Sequence, residues 1–93
     1  RFDWDDLGSW PALRNHLKPD SDGNLADGLF AGVDCRNLIV SGRPGHLVAA
    51  IGVEDLVIVE TEDATLVCRA DQAQRIKELL KLADSRPELR EFL

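Results

Sequence analysis

The chain has 93 residues, a formal net charge of −6 and a hydrophobic fraction of 44%. These are the proportions of one small globular domain, not of a disordered tail, and a chain of this size buries about 64% of its unfolded surface. The acid excess argues against nucleic acid as a partner, since phosphate binding needs a concentrated basic face, and the longest apolar run, residues 47–51, is far too short to span a bilayer.

The first ten residues, Arg1-Phe2-Asp3-Trp4-Asp5-Asp6-Leu7-Gly8-Ser9-Trp10, hold both tryptophans of the chain and three acids. Termini usually fray, so two such large side chains at one end mark part of a site whose other half lies upstream. Ser9 is placed to cap a short helix with apolar positions Trp10, Leu13 and Leu17, in which Pro11 is tolerated because the first turn has no amide partner to lose. The spacing predicts that this helix ends before Pro19. Residues 19–24, Pro-Asp-Ser-Asp-Gly-Asn, form a turn-rich acidic connector and the best boundary in the chain.

Beyond residue 24 the texture becomes β. Residues 29–33, 37–40, 47–51, 56–59 and 65–68 are short segments rich in Val, Ile and Leu, separated by turn signals such as Asp27-Gly28 and Ser41-Gly42-Arg43-Pro44-Gly45. Two architectures fit: an antiparallel meander or small barrel, and a parallel β-helix in which short strands stack as coils. A six-residue period through Val53, Val59 and Thr65, and through Ile51 and Val57, points to the second, although it covers few steps. At the end of the chain, Asp71 and Gln74 have capping-box spacing, and Ile76, Leu79, Leu80 and Ala83 form one apolar stripe with Lys77 and Lys81 opposite. This predicts an amphipathic helix over residues 71–83. The charged tail that follows carries Leu89, Phe92 and Leu93 as docking residues.

Few residues offer chemistry. Asp3, Asp5 and Asp6 are oxygen donors of the kind that magnesium takes in small number from protein, the rest coming from water and phosphate; a triplet of acids near a terminus is equally ordinary solvated surface. His16 and His46 are far apart and have no nucleophile at suggestive spacing, which excludes a catalytic triad. The Gly-rich residues 41–45 lack the Gly-Lys-Ser/Thr ending of a phosphate loop and read as a corner. Nothing separates Arg36 and Arg43 from surface arginines. Cys35 and Cys68 have no metal-ligand spacing and read as buried reduced thiols; without a secretory signal at the start, they predict a cytoplasmic protein.

Taken together, the blocks resemble the C-terminal end of bacterial mannose-1-phosphate guanylyltransferases. Phe2-x-Trp4-x-Asp6-Leu7-Gly8-Ser9-Trp10-x-x-Leu13 looks like the family's F-x-W-x-D-[LV]-G-S-W block, and Asp22-Gly23-Asn24 matches the D-G-N that follows it. Residues 34–40 (Asp-Cys-Arg-Asn-Leu-Ile-Val), 47–59 and 64–74 are similar to the next three blocks in order, so the resemblance covers nearly the whole chain.

The resemblance implies a mainly β fold: a short left-handed parallel β-helix over residues 25–70, preceded by residues 1–24 as the trailing edge of a catalytic domain plus connector, and followed by residues 71–93 as an amphipathic helix and tail. It implies an activity for the parent enzyme, GTP and mannose 1-phosphate giving GDP-mannose and pyrophosphate, with GTP and the sugar phosphate bound through a missing N-terminal nucleotidyltransferase domain. Asp6 falls where the family places a ligand of Mg2+, while Trp4, Gly8 and Trp10 look like residues that shape the surroundings of that ligand. No catalytic residue lies in this chain, and the phosphate loop and sugar-binding residues are absent, so the chain alone is expected to be inactive, to work as a homo-oligomer with its missing domain, and to bind neither nucleic acid nor membrane. Two other functions compete: a stand-alone β-helix module for binding or oligomerisation without catalysis, and the equivalent domain of another sugar-nucleotide transferase. With its partners in the missing domain, Trp4 is expected to be partly exposed.

Overall fold

The computed structural model describes residues 3–15 and 17–93, with the side chains of residues 13–15 left aside. Phe2, His16 and the Leu13 side chain therefore lie outside the described residues. The chain runs through a 3-10 helix (Trp4–Asn15), six strands, β1 (Leu25–Asp27), β2 (Leu29–Val33), β3 (Ile39–Ser41), β4 (Leu47–Ile51), β5 (Leu56–Glu60) and β6 (Thr65–Arg69), a second 3-10 helix (Ala70–Arg75) and the helix α1 (Ile76–Asp84). The protein is mainly β with short helices, as the sequence predicts. Strand β1 is the element that the sequence does not announce, being only three residues long.

Successive strands climb over one another. Strands β1, β3 and β5 pair in parallel, Leu25 beside Ile39 and Ile39 beside Val57, while β2 and β4 pair in parallel, Leu29 beside Leu47 and Val33 beside Ile51. A third, shorter ladder joins Arg36 to Glu54. From β2 onward all these partners, Leu29 with Leu47, Arg36 with Glu54 and Ile39 with Val57, stand 18 residues apart, three of the six-residue steps seen in the sequence. The step ends at Thr65, however: β6 turns back and runs antiparallel to β5, with Thr65 beside Glu60. The Thr61 hydroxyl makes that reversal by accepting the amides of Asp63 and Ala64 at 3.3 and 3.1 Å.

The corner between the second and third ladders explains two of the sequence blocks. Asp34-Cys35-Arg36-Asn37 and Gly52-Val53-Glu54-Asp55 are the same corner in successive coils, and in both the first and last residues have left-handed backbone: Asp34 φ 53°, Asn37 φ 58°, Gly52 φ 66° and Asp55 φ 59°. Only Gly, Asn and Asp enter that region readily, so the choice of residue is set by the bend. Backbone bonds stitch the two corners, Gly52 N–H to Val33 C=O at 2.8 Å and Asp55 N–H to Arg36 C=O at 3.0 Å. Cys35 and Val53 turn inward, while Arg36 and Glu54 point out and pair at 3.5 Å in a largely exposed bridge, an arrangement that contributes little to stability.

Alternation of side chains along the strands produces two apolar layers. Inside the coil, Cys35, Leu38, Val40, Val48 and Ile58 form one cluster, with Phe30, Ala50, Val53 and Leu56 against it. The outer side of the four-stranded sheet forms the other, where Leu25, Ile39, Val57 and Val59 meet Trp4, Leu7 and Ile76 from the helices.

The helices differ from expectation in three ways. The N-terminal one starts at Trp4, not at a Ser9 cap; the Ser9 hydroxyl donates to the Asp6 carbonyl at 2.8 Å inside the helix. The reason is a stripe with period three, Trp4, Leu7 and Trp10, which faces the core along a helix of three residues per turn. Trp4 is 5% exposed and not partly open, because its packing partners are Leu25, Val57, Val59 and Ile76 of this same chain. At the other end, no side-chain cap forms at Asp71, whose carboxylate is taken at 2.8 Å by Arg69. The segment begins as a 3-10 turn and becomes α only at Ile76, after which Ile76 and Ala83 are buried, Leu79 and Leu80 half-buried, and Lys77 and Lys81 exposed.

Candidate functional site

Asp6 lies in the first half of the N-terminal helix, between two anchors. Trp4 and Leu7 are both buried, Leu7 completely, and fix the rotation of the helix, so Asp6 is left on the exposed side. Among the described residues no hydrogen bond or ion pair engages its carboxylate. The neighbouring acids are used locally: the Asp3 carboxylate accepts the Asp5 amide at 3.1 Å, and the Asp3 carbonyl accepts the Asp6 amide at 3.4 Å. Trp10 is half-buried and packs on the same core. Gly8 lies against the second 3-10 helix, where an added Cβ would meet the Gln74 Cα at 3.5 Å, an ordinary contact. The three residues around Asp6 thus hold its helix to the body of the domain.

No group of three or more His, Cys, Asp or Glu side chains able to hold a metal ion occurs among the described residues. The chain offers a cation one open carboxylate, which suits magnesium's habit of taking few protein ligands, and any complete set needs donors from outside. A cleft of about 430 Å³ is apolar and lies between Trp10, Leu17 and strands β1 and β3. Asp6 is not among its lining residues, and its only charged ones are Lys18 and Asp27.

The remaining candidates are structural. His46 pairs with Glu60 at 3.2 Å, tying the long corner before β4 to the end of β5. Arg43 and Arg36 remain exposed at corners. Both cysteines are free; Cys35 is buried, as expected, and its thiol donates to the Val33 carbonyl at 3.4 Å, whereas Cys68 is only half-buried, on the outer side of β6, and that partial burial still pushes its thiol above its ordinary value, away from nucleophilic chemistry. No helix among the described residues is long and apolar enough to cross a membrane.

Sequence reasoning passed over the most consequential polar residue. Asn24 is 6% exposed, the one buried polar side chain among the described residues, and it spans two turns of the coil. Its Nδ2 donates to the Cys35 carbonyl at 3.2 Å and its Oδ1 accepts the Leu38 amide at 2.9 Å. A tight loop holds it in place: the Asp20 carboxylate accepts the amides of both Asp22 and Asn24 at 2.9 Å, and Gly23 turns at φ 81°. The Asp-Gly-Asn block is therefore the device that starts the coil. Its signal in the sequence was an Asn directly before an apolar strand.

Parallel ladders closed by left-handed corners, with helices packed on one outer side, define a small domain of the β-helix kind. Residues 28–82 match the MannoseP isomerase/GMP-like beta-helix domain, and the chain belongs to that family. A mannose-1-phosphate guanylyltransferase of Escherichia coli is 38% identical over 87% of the chain, and the alginate biosynthesis protein AlgA of Pseudomonas aeruginosa is 38% identical over 88%. A crystal structure from Thermus thermophilus, described as a mannose-1-phosphate geranyltransferase, superposes on 86% of the chain with a TM-score of 0.72 and 30% identity. The chain spans only 17% of the length of those two curated relatives and 24% of the Thermus chain.

Proposed function

We propose that this chain is the C-terminal β-helix of a mannose-1-phosphate guanylyltransferase, an enzyme that makes GDP-mannose and pyrophosphate from GTP and mannose 1-phosphate. The observation that carries the reading is the match to a guanylyltransferase over 87% of this chain but 17% of the relative, which leaves room in the parent for a nucleotidyltransferase domain that binds GTP and the sugar phosphate. In this reading the coil winds left-handed, the parent works in the cytoplasm, and the domain supplies one magnesium ligand and an assembly surface.

Asp6 is the ligand. Its carboxylate is open and has no partner among the described residues, and its backbone is held on both sides by buried Trp4 and Leu7, so it projects from a rigid base toward whatever packs beside the helix. Such preorganisation matters because a ligand that must be ordered on binding costs affinity. Magnesium, when bound, would neutralise charge developing on phosphate oxygens as the sugar phosphate attacks the α-phosphorus. Trp4, Gly8 and Trp10 act through Asp6 by fixing its helix against the domain core.

The test uses the parent protein. Asp6→Ala should lower magnesium-dependent GDP-mannose formation by about a hundredfold or more, the scale of losing one charge-stabilising group, with the circular dichroism of the β-helix unchanged. The isolated 93-residue chain should show no turnover. A variant with wild-type rate removes Asp6 from the site, and turnover by the isolated chain overturns the division of labour proposed here.

A further inference from the structure

The tail that follows α1 is fastened at both ends. It leaves the helix in successive turns, the Leu89 amide donating to the Arg86 carbonyl at 2.9 Å and the Phe92 amide to the Leu89 carbonyl at 3.1 Å, and Arg90 Nε reaches back to the Asp84 carbonyl at 2.8 Å. At its far end Leu93 packs on the apolar cluster that contains Trp4. Trp4, residues 61–63 of the β5–β6 reversal and residues 91–93 line one cleft of about 440 Å³. Of the three apolar residues that the sequence offers for docking, Leu93 is the one that reaches the core; Leu89 is half-buried and Phe92 is 40% exposed.

We propose that this tail is a strap that sets the position of Asp6, with Leu93 acting through Trp4 as a positioning residue. The proposal rests on the reading of Asp6 as a magnesium ligand and adds the residue that keeps that ligand in place.

The need for a strap follows from the kind of helix that carries Asp6. Trp4–Asn15 is a 3-10 helix, a form rarely longer than three or four residues because its hydrogen bonds are poorly aligned. Such a helix does not hold its own course, which is set by what packs against it. Leu7 is held by the helical layer, lining a small apolar hollow with Ala73 and Ile76. In the first two turns the other buried anchor is Trp4. Asp6 stands between the two. Rotation about Leu7 is stopped at Trp4, and a shift of the indole carries the Asp6 carboxylate with it.

Apolar contact, not charge, keeps the strap down. Glu62, Asp63 and Glu91 on the cleft all have one sign, and the ion pairs among the described residues lie elsewhere. Like charges around one cleft oppose its closure, so the hold falls to Leu93.

Two sets of measurements test the proposal. In the 93-residue chain carrying Trp10→Phe, Trp4 is the sole tryptophan. There Leu93→Ser should shift the emission to the red and speed amide hydrogen exchange over residues 4–10 by about tenfold or more, with exchange in β3 and β5 unchanged. In the parent enzyme the same substitution should raise the magnesium concentration at half-maximal rate by about tenfold, the scale for losing a group that orients a metal ligand. The kcat at saturating magnesium should stay within about twofold of wild type. Leu93→Ile should restore every readout, and Glu91→Gln should move none. A merely structural anchor would lower the active fraction, and so kcat, without moving the magnesium midpoint. Leu93→Ala, a smaller truncation, takes the place of the serine variant if that one melts below the assay temperature.

Unchanged emission and exchange refute the strap. A red shift with an unmoved magnesium midpoint, in a parent that Asp6→Ala inactivates, overturns the positioning role and leaves Asp6 as the ligand. A wild-type rate for Asp6→Ala overturns both readings together.

Discussion

Replacing Asn24 by alanine probes how the coil is started. The side chain satisfies two buried backbone groups, the Cys35 carbonyl and the Leu38 amide, at 3.2 and 2.9 Å. Truncation leaves both unpaired beside Leu38, which is completely buried, and each orphaned buried group costs about 1–3 kcal/mol. The expected loss is about 3 kcal/mol, or a melting temperature lower by roughly 15 °C for a domain of this size. Urea denaturation followed by far-UV circular dichroism measures it. Asn24→Asp refines the test. A protonated Asp retains both a donor and an acceptor, whereas an ionised one turns a second negative oxygen toward the Cys35 carbonyl in a buried site close to Asp20 and Asp22. Its folded pKa should therefore lie above the unfolded value of about 3.9. A raised acid pKa means that stability is greatest at low pH and is lost as pH rises through the unfolded value toward the folded one. The gap between the variant and wild type should widen from about pH 4 to pH 7. An Asn24→Ala loss below about 1 kcal/mol, or an Asn24→Asp gap that does not change with pH, would refute the role given to the side-chain bridge.

Two further expectations concern the helix and the corners. Trp4→Ala should cost about 3–5 kcal/mol, the range for deleting a buried aromatic, and Trp4→Phe should remove a blue-shifted component from the emission; wild-type emission typical of two hydrated indoles contradicts the packing described for Trp4. At the repeated corner, Gly52→Val places a β-branched residue at φ 66° and should destabilise by about 1–2 kcal/mol, whereas Asp55→Gly relaxes a strained position and should leave stability unchanged within about 0.5 kcal/mol; equal losses at the two sites would deny that left-handed backbone decides residue choice there.

The fold was legible where a residue's choice followed from local geometry. The strand segments 29–33 and 47–51 are visible because their apolar residues are contiguous, and the six-residue step records one side of a three-sided coil. The step misled at Thr65 because a spacing carries no strand direction, and β6 reverses. Strand β1 stayed hidden: three residues give no periodicity, and its place is fixed by Asn24 and by pairing with β3, which are tertiary facts. The N-terminal helix begins earlier than the α-helical spacing of Trp10, Leu13 and Leu17 implies, because Trp4, Leu7 and Trp10 repeat every three residues, the period of a 3-10 helix. Trp4 looked as though it had lost its partners because they are distant in sequence, from Leu25 to Ile76. Asp6 could be singled out only by resemblance; one carboxylate among three adjacent acids has no pattern of its own, and the structure leaves it exposed on a helix whose neighbours are anchored.

Two corners of this three-sided coil differ in a way that bears on how such a chain tolerates changes in length. From Leu29 to Ile39 and from Leu47 to Val57 the path through the left-handed corner has the same number of residues, and the ladders on either side of it stay in register. The other corner is a single glycine, Gly28, between β1 and β2, but a five-residue loop, residues 42–46, between β3 and β4. All of the difference between coils is absorbed there, outside the ladders. An added or lost residue at that loop changes only a protrusion, whereas one between Asp34 and Asn37 exchanges inward and outward side chains from that corner to β3, at the centre of the core. The loop is the natural place for an inserted peptide or a cleavage site; the left-handed corner is where a frame-preserving indel should be lethal to folding.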